Sequence, residues 1–285
     1  MKVKAILSLT RFSLSVAIAF SAMAGQLLYA HSFTRVSLYT FLGVTLLSMG
    51  ASALNQYQER FLDAKMGRTM HRPLPSGTIK PNQALMMVSL LVIAGTLLLF
   101  FTTTLTATLL GIFNLFWYNL VYTPLKTRNQ FVLLVGALTG AIPPMIGWTA
   151  SGGDPFSVTI VAVAFFMFLW QIPHFWLILL KYGKEYEAAG FTPISFIALG
   201  KHIKPILFIW VIGTSASTLF FPVLHIVSNI PMIIALLIMN IGLISLFYSY
   251  LFNKNPRVSL RSAFGSIYLY QVIILIVLVV DAFGK

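Results

Sequence analysis

Nine stretches of this sequence are apolar and long enough to cross a lipid bilayer, and they restrict the possible folds more than any other feature. A transmembrane helix needs about 20 mainly apolar residues. Charged residues make up only 9% of the chain, against about 25% in a soluble domain. The sequence therefore predicts an all-α integral membrane protein with nine transmembrane helices. They lie at roughly 12–30, 36–55, 83–101, 103–122, 131–149, 156–180, 203–222, 230–252 and 262–281.

The positive charges support this segmentation. If the spans alternate in direction, 17 of the 19 Lys and Arg residues fall on one side, and only Arg35 and Lys285 fall on the other. The positive-inside rule then predicts a cytoplasmic N-terminus and an outside C-terminus. Topology and contact with anionic membrane lipid explain the formal net charge of +13, so no nucleic-acid partner is needed. The chain has no cysteine, which excludes thiolate chemistry and disulfides.

Residues 1–285 show no linker, so a single domain is expected. Its two long loops, about 56–82 and 181–202, both fall on the predicted cytoplasmic side. We therefore expect the functional residues on that side of the membrane.

The end of the second span carries three oxygen-bearing side chains at four-residue spacing: Asn55, Glu59 and Asp63. Four helical residues turn the chain by about 400°, so the three share one face. Carboxylates near lipid usually face a bundle interior or a cavity, and Mg²⁺ takes one or two carboxylates plus substrate phosphates. Arg68 and Arg72 follow, again four apart, and arginine grips phosphate in a forked geometry. This pattern predicts a divalent-cation and phosphate site.

Three further segments are candidates for the same site. The segment 122–128 contains Tyr122, Lys126 and Arg128, and its cations would add positive charge for a diphosphate. The segment 181–190 contains Lys184 and Glu185, although a merely solvated charged loop is equally compatible with it. In the sixth span, Trp170, His174 and Trp176 surround Pro173 and suggest a cavity wall on which a planar or haem-like molecule could stack. A histidine there could also ligate iron.

These residues resemble the UbiA-type intramembrane prenyltransferase superfamily. Its first signature, N-x₃-D-x₃-D followed by R-T-x-x-R-P-L-P-S-G, matches residues 55–63 and 68–77, with Glu59 in place of the usual aspartate. In the second motif, Glu185 likewise stands where an aspartate is usual. The segments 140–148, 169–176 and 181–190 resemble the branch of the superfamily that farnesylates protoheme IX.

The resemblance implies one UbiA-like domain in the inner (plasma) membrane that transfers a farnesyl group from farnesyl diphosphate to a vinyl group of haem B, giving haem O and diphosphate. It implies partners such as haem A synthase or terminal-oxidase assembly factors. It also implies residue roles. Mg²⁺ would be held by Asn55, Glu59, Asp63 and Glu185. Diphosphate would be bound by Arg68, Arg72, Lys126, Arg128 and Lys184. The haem pocket would be formed by Tyr122, Trp170, His174 and Trp176.

Three other readings stay open at this point. A UbiA-type enzyme could prenylate an aromatic acid or a quinone precursor instead of haem. Broken helices and inward carboxylates are also found in transporters, although here the acids lie at the end of a span rather than at its middle. A non-catalytic oxidase assembly factor is the third alternative.

Overall fold

The computed structural model describes residues 3–129, 131–191, 202–253 and 258–284, and the regular elements within these ranges are helices. In chain order they are α1 (Val3–Leu9), α2 (Phe12–Ala30), α3 (Arg35–Asp63), α4 (Pro81–Thr102), α5 (Leu105–Phe116), a π-helix (Trp117–Tyr122), α6 (Thr123–Leu125), α7 (Val132–Ala150), α8 (Val158–Ala189), α9 (Ile203–Thr218), α10 (Phe220–Val223), α11 (Ile230–Phe252) and α12 (Leu260–Phe283).

Nine of the described helical segments are long and apolar enough to cross a membrane, which confirms the predicted fold class. The spans are α2, α3, α4, α5 to α6, α7, α8, α9 to α10, α11 and α12. The chain is thus a multi-pass membrane protein.

Two helices are longer than the sequence indicated. α3 has 29 residues and α8 has 32, so at 1.5 Å per residue each is more than 40 Å long, against about 30 Å for the hydrocarbon core. The predicted loops at 56–82 and 181–202 therefore begin later than expected, after Asp63 and Ala189. α8 ends at Gly190, whose φ of 96° is in the left-handed region that glycine adopts readily. Residues 192–201 of the second loop lie outside the described residues.

The helices pack into one bundle with two groups of buried side chains. α2 packs against α3, α7 and α12, while α8 packs against α7, α9 and α12. One core cluster joins α8 to α12 around Phe166, Phe221 and Tyr270. The other joins α2, α3, α4, α5 and α7 around Leu47 and Ile146. The candidate site lies between these two groups.

α2 and α7 approach each other closely at Gly147. A Cβ atom added there would lie 1.6 Å from the backbone oxygen of Ala22 and 2.8 Å from the backbone nitrogen of Gln26. Small residues at such crossings let transmembrane helices pack backbone to backbone. The crossing matters for function because both helices contribute to the cavity wall.

Gly147→Ala should destabilise the protein by about 1–3 kcal/mol, the usual cost of overpacking a filled interior. Gly242→Ala is the matched control, because nothing lies within 4 Å of its added Cβ. That variant should be unchanged or about 1 kcal/mol more stable through helix propensity. Thermal unfolding in detergent measures both. Equal unfolding temperatures for Gly147→Ala and the wild type would contradict the close approach of α2 and α7 at this glycine.

Candidate active site

The last turns of α3 carry the three oxygen residues predicted from the sequence. Asn55, Glu59 and Asp63 have relative exposures of 0%, 6% and 2%. Their four-residue spacing on a continuous helix keeps them on the side of α3 that faces the bundle rather than lipid. Two carboxylates are thus buried within one helical turn of each other, where unpaired charges would be costly.

Each of these three side chains is paired with a different cation. The Asn55 Oδ1 accepts a hydrogen bond of 3.2 Å from Arg11. The Glu59 Oε1 lies 2.7 Å from the Lys126 Nζ. One guanidinium nitrogen of Arg72 donates to both Asp63 oxygens, at 2.8 and 2.6 Å. Two of these cations, Arg72 and Lys126, were predicted from the sequence.

The loop after α3, residues 64–80, is the arginine loop. It is held close to the acid face, which is the side of α3 that carries Asn55, Glu59 and Asp63. The Thr69 hydroxyl donates to the Asp63 carbonyl oxygen at 2.9 Å, which folds the loop back towards α3. Arg68 then reaches α8: its guanidinium donates to the Tyr186 hydroxyl at 2.7 Å, and its backbone nitrogen lies 3.4 Å from the Glu185 Oε2. The structure therefore joins Glu185 to the arginine loop rather than to Asn55, Glu59 and Asp63.

The cations at the site influence one another. Burial tends to lower the pKa of Lys126, but the adjacent Glu59 carboxylate outweighs this effect, and the pKa lies above its ordinary value. Burial lowers the pKa of Arg72, and the positive charge of Arg11 lowers it further, which Asp63 offsets only in part. The mutual repulsion of Arg11 and Arg72 would be relieved by an added anion. The site is therefore suited to bind phosphate.

A cavity of about 480 Å³ opens at this acid face and continues into the bundle. Its charged lining consists of four cationic side chains against two carboxylates, all at one end. The deeper walls are mainly apolar and aromatic, with a few amide side chains. Such a chamber fits a ligand with an anionic head and an apolar body. The charged residues are Arg11, Glu59, Asp63, Arg68, Arg72 and Lys126.

α8 and α12 form an aromatic wall deep in the cavity. The rings of Trp170 and His174 are nearly parallel, with an interplanar angle of 4° and centroids 6.2 Å apart. The Trp170 indole donates to the Ile267 carbonyl oxygen at 2.7 Å, which fixes the ring. The Tyr268 hydroxyl lies 3.1 Å from the His174 Nε2. The wall offers a planar apolar surface with one polar group.

The π-helix brings a second pair of aromatic rings towards the acid face. Tyr118 and Tyr122 stack with centroids 5.6 Å apart, and the Lys126 Nζ lies 4.6 Å from the Tyr122 ring centroid. π-helical turns within α-helices are rare and often occur at functional sites. This one places Tyr118, Tyr122 and Lys126 along the cavity wall together.

Some predicted site residues lie away from the cavity. Trp176 is buried in the core cluster of α8 to α12, because two helical residues beyond His174 turn the side chain by about 200° to another face. Arg128 and Lys184 are exposed to solvent. Asn55 is not in the cavity lining, but it contacts Arg11, which is.

Three residues that line the cavity were not predicted from the sequence: Arg11, Tyr118 and Tyr268. Arg11 was counted only as a topological charge, because nothing in the sequence signals that a residue before the first span folds back towards α3. Tyr268 was missed because it belongs to an apolar span without a motif. The available signal was the pair of polar aromatic residues in that span, Tyr268 and Tyr270.

The donor atoms at the acid face fit a hard divalent cation. Mg²⁺ prefers oxygen ligands and takes one or two carboxylates together with substrate phosphates. Glu59 and Asp63 supply the carboxylates, and Asn55 supplies an amide oxygen. Among the described residues, no three His, Cys, Asp or Glu side chains form a metal-binding group. The protein's part of the site is thus suited to a cation that arrives with phosphate ligands.

Comparisons with known proteins find a matching family and similar relatives. The model of the UbiA prenyltransferase family matches residues 14–272. The chain is 36% identical over 269 residues to a protein named protoheme IX farnesyltransferase from Nitratidesulfovibrio vulgaris, covering 94% of this chain and 93% of that one. It is 39% identical over 206 residues to a protein of the same name from Geobacter sulfurreducens, covering 71% and 74%.

The fold is also similar to solved structures. A digeranylgeranylglyceryl phosphate synthase structure superposes with a TM-score of 0.79 at 19% identity, covering 100% of this chain and 99% of that one. A UbiA homologue from Archaeoglobus fulgidus, bound to GPP and Mg²⁺, superposes with a TM-score of 0.72 at 11% identity, covering 99% and 100%. At these identities the likeness establishes the fold.

Proposed function

The chain belongs to the UbiA prenyltransferase family, and from this premise we propose that it transfers a farnesyl group from farnesyl diphosphate to a vinyl group of protoheme IX. The products are haem O and diphosphate. One observation carries the proposal: a cavity with a cation-rich mouth at the acid face continues to an aromatic wall on α8 and α12. The inner (plasma) membrane is the location that fits the bacterial relatives.

The mouth of the cavity would bind the diphosphate. The cationic side chains of Arg68, Arg72 and Lys126 would donate charge-assisted hydrogen bonds to the phosphate oxygens. To do so, Arg72 and Lys126 would exchange their present carboxylate partners for phosphate. The released carboxylates of Asp63 and Glu59 would then be available to a metal ion.

Mg²⁺, when bound, would neutralise charge on the departing diphosphate. Asn55, Glu59 and Asp63 are the residues that would hold it, and Glu185 on α8 would act through its contact with the Arg68 backbone nitrogen. The Archaeoglobus fulgidus homologue binds Mg²⁺ together with GPP, which supports a metal ion that acts together with a prenyl diphosphate.

The transfer itself would proceed by loss of the leaving group. The allylic C–O bond of farnesyl diphosphate breaks, and its electron pair leaves with the diphosphate. The resulting allylic cation would lie near the faces of Tyr118 and Tyr122, which stabilise positive charge, while the apolar walls keep bulk water away from it. The vinyl electrons of the haem then form the new C–C bond. Addition of water with loss of a proton completes the hydroxyethylfarnesyl group.

The haem would lie against the deep wall of the cavity. Trp170 and His174 offer parallel rings on which a planar macrocycle can stack, and Tyr122 would contact it from the opposite direction. Haem A synthase or oxidase assembly factors would deliver or receive the haem.

Membranes that contain the protein should convert farnesyl diphosphate and haem B into haem O, with equal release of diphosphate. 4-Hydroxybenzoate offered in place of haem B should give no product. Mass spectrometry of the extracted haems measures the first reaction, and radiolabelled farnesyl transfer measures the second. Product from the benzoate alone would replace the haem assignment with that of an aromatic-acid prenyltransferase. No product from either acceptor would favour the non-catalytic alternatives.

A further inference from the structure

The turn between α1 and α2 places an arginine in an unfavourable backbone conformation. Arg11 has φ 46° and ψ 49°, in the left-handed region. Residues with a Cβ atom adopt this region reluctantly, whereas glycine and asparagine do so readily. A glycine or asparagine would therefore make the same turn with less strain. The presence of arginine indicates that its side chain is used.

α1 is firmly attached to the helix that carries the acid face. The Gln56 Nε2 donates to the carbonyl oxygens of Ser8 and Leu9, at 2.8 and 3.0 Å. Leu9 is fully buried in a cluster that also contains Leu74 of the arginine loop. Because Gln56 directly follows Asn55, this anchor fixes the position of Arg11 relative to the acid face.

The guanidinium of Arg11 lies in the mouth of the cavity. It donates to the Asn55 Oδ1 at 3.2 Å, while the Asn55 Nδ2 donates to the Thr123 hydroxyl at 3.0 Å. Arg72 and Lys126 each form a salt bridge with a carboxylate, but among the described residues Arg11 forms none. Its hydrogen-bond partner is a neutral amide, just as the partner of the Arg68 guanidinium is a neutral hydroxyl. The charge of Arg11 is therefore available to an incoming anion without the loss of a salt bridge.

We propose that Arg11, presented by α1, binds the diphosphate of the prenyl donor and in doing so releases the Asn55 side-chain oxygen to the metal. This rests on the proposed function, which assigns a diphosphate to the cavity mouth. α1 and the turn after it are thereby part of the active site, and the charge of Arg11 does more than set the membrane topology. Diphosphate and metal binding are coupled, because the Asn55 oxygen becomes free only when Arg11 moves to phosphate.

The strained backbone allows a clean test. Arg11→Asn removes the guanidinium but suits the left-handed turn, so the unliganded unfolding temperature should be unchanged or higher. Its affinity for inorganic diphosphate in the presence of Mg²⁺ should fall by about tenfold to a hundredfold, as for loss of a charge-assisted hydrogen bond. The diphosphate affinity of Arg11→Lys, which keeps the charge, should lie between those of the wild type and Arg11→Asn. Calorimetric titration of the purified protein in detergent measures the affinity.

Lys4→Gln is the matched control, because it removes one positive charge from an exposed position on the same short helix. Its diphosphate affinity should stay within about twofold of the wild type, as expected for a solvent-screened charge. The inference is overturned if Arg11→Asn binds diphosphate as tightly as the wild type, or if Lys4→Gln loses as much affinity as Arg11→Asn.

Two further outcomes are distinguishable. If the wild type itself does not bind inorganic diphosphate with Mg²⁺, the proposed donor site fails, and the inference falls with it. If Arg11→Asn unfolds at a lower temperature and Arg11→Lys binds no better than Arg11→Asn, Arg11 has a structural role only, and the inference is wrong while the proposed function stands.

Discussion

Asp63→Asn is expected to lower kcat/KM for prenyl transfer by about a hundredfold to a thousandfold, the usual effect of removing one group that stabilises charge in a transition state. The change is nearly isosteric, so the effect is electrostatic. It removes one of the two carboxylates available to a metal ion. In the wild type Arg72 donates to both Asp63 oxygens, and the variant leaves it without this anionic partner. Initial rates at several farnesyl diphosphate concentrations give the value.

Asp154→Asn is the control for this variant. Asp154 is an exposed aspartate in the loop between α7 and α8, and its side-chain oxygen accepts a hydrogen bond from the Phe156 backbone nitrogen at 2.9 Å. An asparagine oxygen can accept the same bond. The control variant should transfer prenyl groups at the wild-type rate. Full activity of Asp63→Asn in a protein with an unchanged unfolding temperature would show that the acid face is not the catalytic site.

Removal of divalent cations should abolish prenyl transfer, with a loss of at least about a hundredfold. Without a metal ion, Asn55, Glu59 and Asp63 present negative and neutral oxygens to a leaving group that is itself anionic. Because diphosphate departure needs charge neutralisation, the cations at the mouth should not suffice alone. Treatment of membranes with EDTA, followed by an assay of haem O formation, measures the loss.

Addition of excess Mg²⁺ should restore the rate, whereas Ca²⁺, which is larger and prefers six to eight ligands, should restore less of it. EDTA saturated with Mg²⁺ beforehand controls for effects of the chelator itself. Asp63→Asn should also need more Mg²⁺ than the wild type to reach half of its maximal rate. A full rate after chelation would contradict the assigned metal site.

Much of the fold follows from the sequence because lipid imposes a simple rule. Each span must be apolar and about 20 residues long, so composition alone locates the nine spans. Helix ends beyond the lipid are not bound by that rule. α8 continues through Glu185 to Ala189. Its end there depends only on local helix propensity and on contacts with the arginine loop, and the sequence did not predict this extension.

The candidate site, too, could be predicted from the sequence only in part. Four-residue spacing on a helix correctly aligned Asn55, Glu59 and Asp63, since a helix has a fixed rotation per residue. The partners of these residues come from distant parts of the chain, 44 residues away for Arg11 and 67 for Lys126. Spacing carries no information about such contacts. The motif identified Lys126, whereas Arg11 could be found only in three dimensions.

The π-helix at Trp117–Tyr122 makes this part of the chain more sensitive to insertions and deletions than to substitutions. Its wider turn sets the direction in which every later residue of that span points. Loss of a single residue from it would rotate the following positions by about 100° and carry Lys126 away from Glu59, although every side chain of the acid face would remain. A gene that preserves all of these motifs could therefore still encode an inactive protein if one codon were missing here.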